Sequence, residues 1–446
     1  MSSTDELRGA ARAVFDETLA AIDAGQAVHR AVRLAGSRLT IVDADFNLDA
    51  RKVYAVGCGK AAAAMAAALG ESLGSRLTAG IISAPHGGRQ LDARWRVYAG
   101  GHPAPNAESR AAARAAFELL AEADRSEALV IFLISGGGSA MLEWPRDPRL
   151  TLDDLRETNR VLVSCGASIA EINCVRRALS AVKGGRLSRL APRASQATLI
   201  ISDTSPGRPF DVASGPSIPA PIETDTPAQI VARYELASRL PARVVRALEE
   251  ACEDEEDVEW MQADASRRHY VLLDNARALE IAASASQARG FMVETAHDID
   301  EQDVAEGART LVARLFELYG RAGSSSSGVC LVSGGEFSCP VRGEGTGGRN
   351  AETALRIAFE FAEQLRRVEG ERVPESVVAL CAGTDGRDGN SPAAGALCDL
   401  TTLARARALR LDPHRHLERS DAYTLFDALG DAVMTGATGT NVRDLR

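Results

Sequence analysis

The sequence predicts an α/β protein of two domains, and three observations carry that expectation. The chain has 446 residues, more than one hydrophobic core accommodates. Short apolar runs alternate with helix-patterned stretches along its length. Several of the runs lack polar alternation, which suits strands buried on both faces of a parallel sheet. Strands separated by helices are the βαβ arrangement, so the first domain is expected to be an α/β/α sandwich.

In chain order, the first strands are Val53–Val56, Gly80–Ala84, Arg96–Ala99, Leu129–Ile134 and Thr198–Ser202, with helix patterns such as Ala61–Leu69 and Asn106–Ala123 between them. Near Glu249 the chain turns acidic, "EEACEDEEDVEW". That stretch reads as a solvated helix end or connector and marks a boundary. A second alternating series follows at Tyr270–Leu273, Phe291–Thr295, Val329–Ser333, Val377–Cys381 and Ala432–Thr435. "GSSSSG", Gly323 to Gly328, reads as a flexible loop before one of these strands. The expected division is residues 1–248 and 265–446.

Composition narrows the function. Net charge is −10, from 51 Lys and Arg against 61 Asp and Glu, the wrong sign for a nucleic-acid surface. Aromatic residues make up only 4%, too few for base-stacking platforms. No apolar run approaches the roughly 20 residues of a membrane span. "MSSTDELRGA" at the N-terminus has no apolar signal region, so a cytoplasmic protein is expected. The eight cysteines form no CxxC, and no His stands at zinc-ligand spacing from a pair. They read as scattered reduced thiols.

"VYAVGCGKAAAAMAAAL", Val53 to Leu69, runs a strand through Gly57-Cys58-Gly59 and Lys60 into a helix. Gly57, Gly59 and Ala62 fit G-x-G-x-x-G/A, but a dinucleotide site also needs an acid at the end of the next strand. That strand ends "GIISAPHGG", with Ser83 and His86 and no carboxylate. The Walker pattern is absent as well, because Ala61 has no hydroxyl for magnesium. What remains suits an anion in general: backbone N–H groups and a lysine at the positive end of a helix. A tight turn with a solvated lysine fits the same residues.

Four further loops have related chemistry. "IFLISGGGSAMLEWP" carries Ser135, Gly136, Gly137, Gly138 and Ser139, and three successive glycines serve close backbone approach or positive φ. "LVSGGEFSCPVRGEGTGGRNAETAL" carries Gly334, Glu336, Arg349 and Asn350. Asp203 and Asp211 follow one strand, and Asp385 and Asp388 another. Ligands of α/β sheets bind beyond the carboxyl ends of strands. Cations, glycine amides and carboxylates together suit a polyphosphate with magnesium, because phosphoryl transfer rests on positioning and charge neutralisation. Asp203, Asp211, Asp385 and Asp388 are the candidate magnesium ligands, and turn or cap roles fit each one singly. His102, in "GGHPAPNAES", is a candidate contact to an anionic substrate or a loop-stiffening residue. No G-x-S-x-G elbow supports a serine hydrolase.

Taken together, "GCGKAA", "GGHPAPNAES", "LISGGGSAML", "INCVRRALSAVKGGRL", "SDTSPGRPFDVASGPSIP", "GEGTGGRNAETAL", "AGTDGRDGNSPAAGA" and "TGATGTNVRDL" resemble the glycerate 2-kinases with a MOFRL domain, in that family's order and through most of the chain. The resemblance implies a Rossmann-like N-terminal domain, a smaller α/β C-terminal domain with its MOFRL region at about 328–440, and an active site in the cleft between them. It implies phosphorylation of D-glycerate on its 2-hydroxyl with ATP and Mg2+. By motif, Lys60 and Arg349 become the phosphate-contacting cations, and Asp203 and Asp385 the acidic site residues. Gly57, Gly59, the Ser135–Ser139 loop, His102, Gly334, Glu336 and Asn350 are expected to contact nucleotide or substrate. One departure stands out: the family commonly has an acid after Pro206-Gly207, and here Arg208 follows. That shifts any metal role toward Asp203 or Asp211. Relatives are also labelled hydroxypyruvate reductases, so an NAD(P)H-dependent reductase is the alternative, and a non-catalytic organic-anion sensor is the second. Groups split between two domains imply a hinge near Glu249–Glu259.

Overall fold

The structure, a computed structural model, describes residues 3–86, 90–219, 225–250, 267–322, 328–367 and 374–446. Most of the acidic connector and nearly all of the "GSSSSG" loop lie outside the described residues, and so does the proposed hinge beyond Glu250. The chain divides into two compact units, Ala24–Leu273 and Met1–Asp23 with Asp274–Arg446. Among the described residues no helix is long and apolar enough to cross a membrane.

The unit Ala24–Leu273 begins with a helix, Ala24–Ala31, and a three-stranded antiparallel sheet of β1 (Val32–Ala35), β2 (Arg38–Ile41) and β3 (Ala44–Asn47). Its main sheet holds β4 (Val53–Cys58), β5 (Leu77–Ala84), β6 (Trp95–Ala99), β7 (Leu129–Ser135), β8 (Ser195–Ile201) and β9 (Arg267–Leu273). The order is β6-β5-β4-β7-β8-β9, with every pair parallel. This is the Rossmann order, reversing direction between β4 and β7. β4 and β7 are buried at every residue, which is why they show no polar alternation. Crossover helices include Ala62–Leu73 after β4 and Ala107–Arg125 before β7, the latter capped by Asn106 and Ser109.

The other unit carries β10 (Met292–Ala296), β11 (Val329–Gly335), β12 (Val378–Gly383), β13 (Gly395–Asp399), β14 (Ala432–Val433) and β15 (Asp444–Leu445). These form a mixed sheet in the order β10-β11-β15-β12-β13-β14. Only β10 and β11 pair in parallel; the remaining neighbours are antiparallel. Two hydrophobic cores flank it, one containing Phe15, Val332 and Leu380 and the other containing Leu311, Phe361 and Cys381.

Two expectations about the division need correction. Tyr270–Leu273 does not open the second series. It is part of β9, the edge strand of the first sheet, with Leu199 opposite Tyr270 and Ile200 opposite Val271. The N-terminal helix Thr4–Ala21 does not belong with residues 24–248. Its Phe15 is 1% exposed in a core with Leu279, Val332 and Leu380. Its Arg8 donates to Asp399 at 2.5 Å and also pairs with Asp431, two carboxylates of the same distant unit. Periodicity identifies a helix or strand but not the core it joins. Phe15→Ala should therefore destabilise the unit Asp274–Arg446 by about 3 kcal/mol, the low end for losing a buried phenyl ring. Urea unfolding with hydrogen exchange resolved by unit checks this, and the β4–β8 amides should stay unaffected.

Candidate active site

At the switch point of the first sheet, β4 and β7 end side by side. Gly59 has φ +118°, and a Cβ there would lie 2.3 Å from both the carbonyl oxygen and Oγ of Ser135. Only glycine allows the two turns to approach so closely. Ser135 Oγ accepts from Ala61 N at 3.0 Å, and Lys60 N donates to Gly136 O at 2.8 Å. The lysine turn and the triple-glycine turn are thus one backbone assembly.

The next loops converge on it. A Cβ on Gly136 would stand 1.9 Å from Asp203 Oδ2, so the carboxylate after β8 rests directly on that glycine. A Cβ on Gly137 (φ +81°) would lie 3.0 Å from His102 Cδ2 and 3.4 Å from Lys60 Cγ. Lys60, His102 and Asp203 therefore gather around Gly136 and Gly137. The short helix Gly138–Met141 starts there, and the first amides of a helix have no intrahelical acceptors.

Below this rim lies a buried polar network. Ser139 Oγ meets Ser214 Oγ at 3.0 Å, Ser214 Oγ donates to Asn173 Oδ1 at 2.9 Å, and Asn173 Nδ2 donates to Asp211 Oδ1 at 3.2 Å. Arg208 Nε donates to Asp211 Oδ2 at 2.5 Å, and Arg177 Nη1 lies 3.6 Å from Oδ1. Ala213 and Ser214 sit at φ +53° and +60°, a strained conformation for residues with side chains. Gly184 N and Gly185 N hold that turn through Ser214 O and Gly215 O at 3.1 and 2.7 Å. Deeper still, Lys183 forms a fully buried ion pair with Glu143, which also accepts from Ser180 Oγ at 2.6 Å and Trp144 N at 2.9 Å. Burial pushes the Lys183 ammonium down and Glu143 opposes that shift. Burial pushes the nearby Cys58 thiol up to about 12, so that cysteine is no nucleophile.

The second unit has its own polar cluster at the carboxyl ends of β11 and β12. Arg349 donates from Nε to Asp444 Oδ2 at 2.5 Å and from Nη2 to Asp444 Oδ1 at 3.1 Å, and Glu336 Oε1 lies 2.8 Å from Nη2. Burial alone would lower the Arg349 pKa, but the charge and hydrogen bonds of Asp444, with Glu336, raise it. Asn350 Nδ2 donates to Asp444 Oδ1 at 2.9 Å. Asn275 donates to Val442 O and Asp444 O and accepts from Gly335 N, and Asp300 accepts from Glu336 N and Arg443 Nη1. Asp385 is half-buried, and its Oδ1 accepts from Arg387 N at 3.0 Å.

Several expected site residues turn out to be architectural. Gly57 sits inside β4, where a Cβ would meet Ile82 Cδ1 at 2.7 Å, so it serves sheet packing. Ser135 ties two backbones together. Gly334 packs against Asn275. Asp211 is 5% exposed and is neutralised by Arg208, which leaves it poorly suited to a metal. Asp388 accepts from Asn350 N at 2.9 Å and Ala351 N at 2.8 Å, capping the helix Arg349–Arg367 with both oxygens. Among the described residues no cluster of three or more His, Cys, Asp or Glu side chains is arranged to hold a metal. Sequence reasoning missed Asn173, Arg177, Lys183, Ser214 and Asp444. The first three lie in "INCVRRALSAVKGGRL", where Asn173 and Arg177 share one helix face at i, i+4 spacing.

A Rossmann-order sheet with glycine turns at its switch point, joined to a second α/β unit, places the chain among the doubly wound α/β proteins. The chain belongs to the family built from the domain of unknown function DUF4147, matched at residues 10–249, and the MOFRL family, matched at residues 329–444. It is 34% identical over 425 residues to an Agrobacterium vitis protein named "Putative hydroxypyruvate reductase", covering 93% of this chain and 91% of that one. It is 32% identical to the D-glycerate 2-kinase of Thermotoga maritima, covering 90% of each. A crystal structure of glycerate kinase from Thermotoga maritima superposes with TM-score 0.80 at 28% identity, covering 99% of this chain and 98% of that one.

Asp388 gives a pH test of the second cluster. Its carboxyl is pushed up from 3.8 to about 6, chiefly by burial and further by the Asp444 charge, against the pull of the Ala351 and Asn350 amides. A carboxyl raised on folding favours the folded state below its unfolded pKa, and that contribution is lost as pH rises through the folded one. Asp388 should therefore cost the unit on the order of 3 kcal/mol as pH rises from about 4 to 6. Urea midpoints of wild type and Asp388→Asn across that window should show the decline only in wild type.

Proposed function

We propose that this protein is an ATP-dependent glycerate 2-kinase, forming 2-phospho-D-glycerate from D-glycerate. The observation that carries the proposal is the gathering of Lys60, His102 and Asp203 around Gly136 and Gly137 at the switch point. Lys60 neutralises charge on the transferring phosphoryl group, which needs a fixed cation more than a nucleophile of the protein. His102 faces the substrate carboxylate. Asp203 accepts the proton of the 2-hydroxyl as the new O–P bond forms and the bond to the ADP oxygen breaks. Arg349, held by the buried Asp444, exchanges its half-exposed partner Glu336 for phosphate oxygens.

Magnesium is often held by one or two carboxylates while substrate phosphates supply the remaining oxygens. Asp203 or Asp385 fits that need in kind; the ion would add positive charge beside the phosphates. The reductase reading is less well supported. β5 ends at Ala84 followed by Pro85 and His86, with no carboxylate for a nicotinamide dinucleotide ribose.

Incubation with D-glycerate, ATP and magnesium, read by phosphorus NMR, should give 2-phosphoglycerate. NADH oxidation with hydroxypyruvate and no phosphoglycerate would sink the proposal. Lys60→Ala should lower turnover by roughly 10²-fold or more with unchanged stability. A chelator should abolish activity, and added magnesium should restore it. Asp385→Asn should raise the magnesium requirement more than the glycerate KM; identical metal titrations would move that role to Asp203.

A further inference from the structure

The helix Ile169–Leu179 carries two adjacent arginines in opposite circumstances. Arg177 Nη1 lies 3.6 Å from a carboxylate oxygen of Asp211. Arg176 has neutral partners instead. Its Nε donates to Asn159 Oδ1 at 2.9 Å, its Nη2 donates to the same oxygen, and its Nη1 donates to Asn173 Oδ1 at 3.5 Å. Among the described residues no carboxylate lies within ion-pair distance of Arg176. Burial pulls its pKa down, and the charge of Glu143 opposes that pull. Yet Glu143 is already paired with Lys183. Two cations thus share one carboxylate, and the Arg176 charge helps push Lys183 down in turn. A guanidinium does not lose its proton, and a charge drawn out of water without a counter-ion is costly.

The neutral partners tie Arg176 to the rim of the first site. Asn159, on the helix Leu152–Val163, donates from Nδ2 to Pro103 O at 3.4 Å, next to His102. Asn173 Oδ1 accepts from Ser214 Oγ at 2.9 Å, and Ser214 Oγ meets Ser139 Oγ of the glycine loop at 3.0 Å. One partner therefore steadies the His102 loop and the other the Ser139 loop, with the guanidinium between them. Neither Arg176 nor Asn159 is sealed from solvent. Each Nη of Arg176 keeps one further N–H beyond these bonds.

We propose that Arg176 binds the carboxylate of the acceptor substrate and makes the site selective for a 2-hydroxy carboxylate over a neutral polyol. The inference rests on the kinase reading for the identity of that acceptor. A guanidinium fork matches a carboxylate in shape as well as charge. It also holds a charge that the His102 imidazole carries only when protonated. A nucleotide phosphate would pair with a guanidinium too, but phosphate oxygens have Lys60 and the loop amides, whereas Arg176 adjoins the loop of His102.

The test is titration calorimetry of the full chain with D-glycerate and with D-glyceramide, which keeps both hydroxyls and turns the carboxylate into a neutral amide. Wild type should bind D-glycerate at least about tenfold more tightly, as a charge-assisted hydrogen bond warrants. In Arg176→Gln that preference should fall to near unity, with D-glyceramide binding unchanged. A role confined to holding the loops would instead weaken both ligands alike. Arg176→Lys keeps the charge, loses the fork and disturbs the packing less. It should retain a reduced preference, and it carries the test should Arg176→Gln not fold. The titrations need no turnover, so a protein that forms no 2-phosphoglycerate would sink the kinase reading and leave the carboxylate contact to be judged by them. An undiminished preference in either variant, an equal loss for both ligands, or no preference in wild type would overturn the proposal. So would a rise confined to the ATP KM, which would assign Arg176 to the nucleotide.

Discussion

The backbone contact between Gly59 and Ser135 is the constraint on which the rest of the first site depends. Two adjacent parallel strands end there, and their turns run closer than any side chain at Gly59 would allow. Ser135 Oγ then fixes Ala61 N, and Gly136 O fixes Lys60 N. The turn carrying Lys60, and the helix that follows it, are thereby set against the loop that carries the glycine amides. Asp203 and His102 follow, because they come from the next loops and seat on Gly136 and Gly137. Side chains at those glycines would displace the very groups that make the site chemical.

Beneath this rim, polar burial replaces the ordinary apolar floor. A fully buried Lys183–Glu143 pair and the Ser214–Asn173–Asp211 chain are costly to desolvate, and such pairs rarely repay that cost in stability. Their placement gives the physical reason to keep them. Lys183 is followed by the two glycine amides that hold the strained Ala213–Ser214 turn, and Ser214 in turn meets Ser139 at the glycine loop. Hydrogen bonds here hold a backbone conformation that its residues would not adopt alone. Arg208 belongs to the same scheme. Its guanidinium is a cation that neutralises Asp211 and lies over the Phe210 ring.

The sequence made the inner strands of the first sheet legible because burial on both faces removes polar alternation, and β4, β5, β7 and β8 all fall where apolar runs stand; β6, an edge strand with exposed residues, falls on the run Arg96–Ala99 as well. Lys60, Asp203 and His102 were legible as strand-end groups beside glycine turns. Less legible was anything decided by long-range partners. Tyr270–Leu273 looks like any apolar run until β8 claims it as a neighbour, and the helix Thr4–Ala21 carries no sign that Leu279 and Leu380 will cover Phe15. β15 is two residues long, too short for any periodic signal, yet it joins β11 to β12. Asp388 and Asp203 are both acids in glycine-rich loops. Only the structure separates the helix cap from the group resting on the switch-point glycine.

The Rossmann strand order alone would invite a dinucleotide, and the labels of relatives divide between oxidoreductase and kinase, so fold and name leave the choice to the site. Hydride transfer needs a ribose-anchoring acid after the second strand and room for a nicotinamide beside the glycine turn. At that position Ser83 Oγ is bonded instead to the carbonyl of Met141, and Ser83 itself is buried. That bond ties the end of β5 to the short helix that starts at Gly138. The space beside the turn is bounded by Lys60 and His102, groups that attract anionic oxygens. Charge neutralisation next to a carboxylate that can take a proton serves phosphoryl transfer to an alcohol better than it serves a hydride. The kinase reading therefore rests on the chemistry of this one rim.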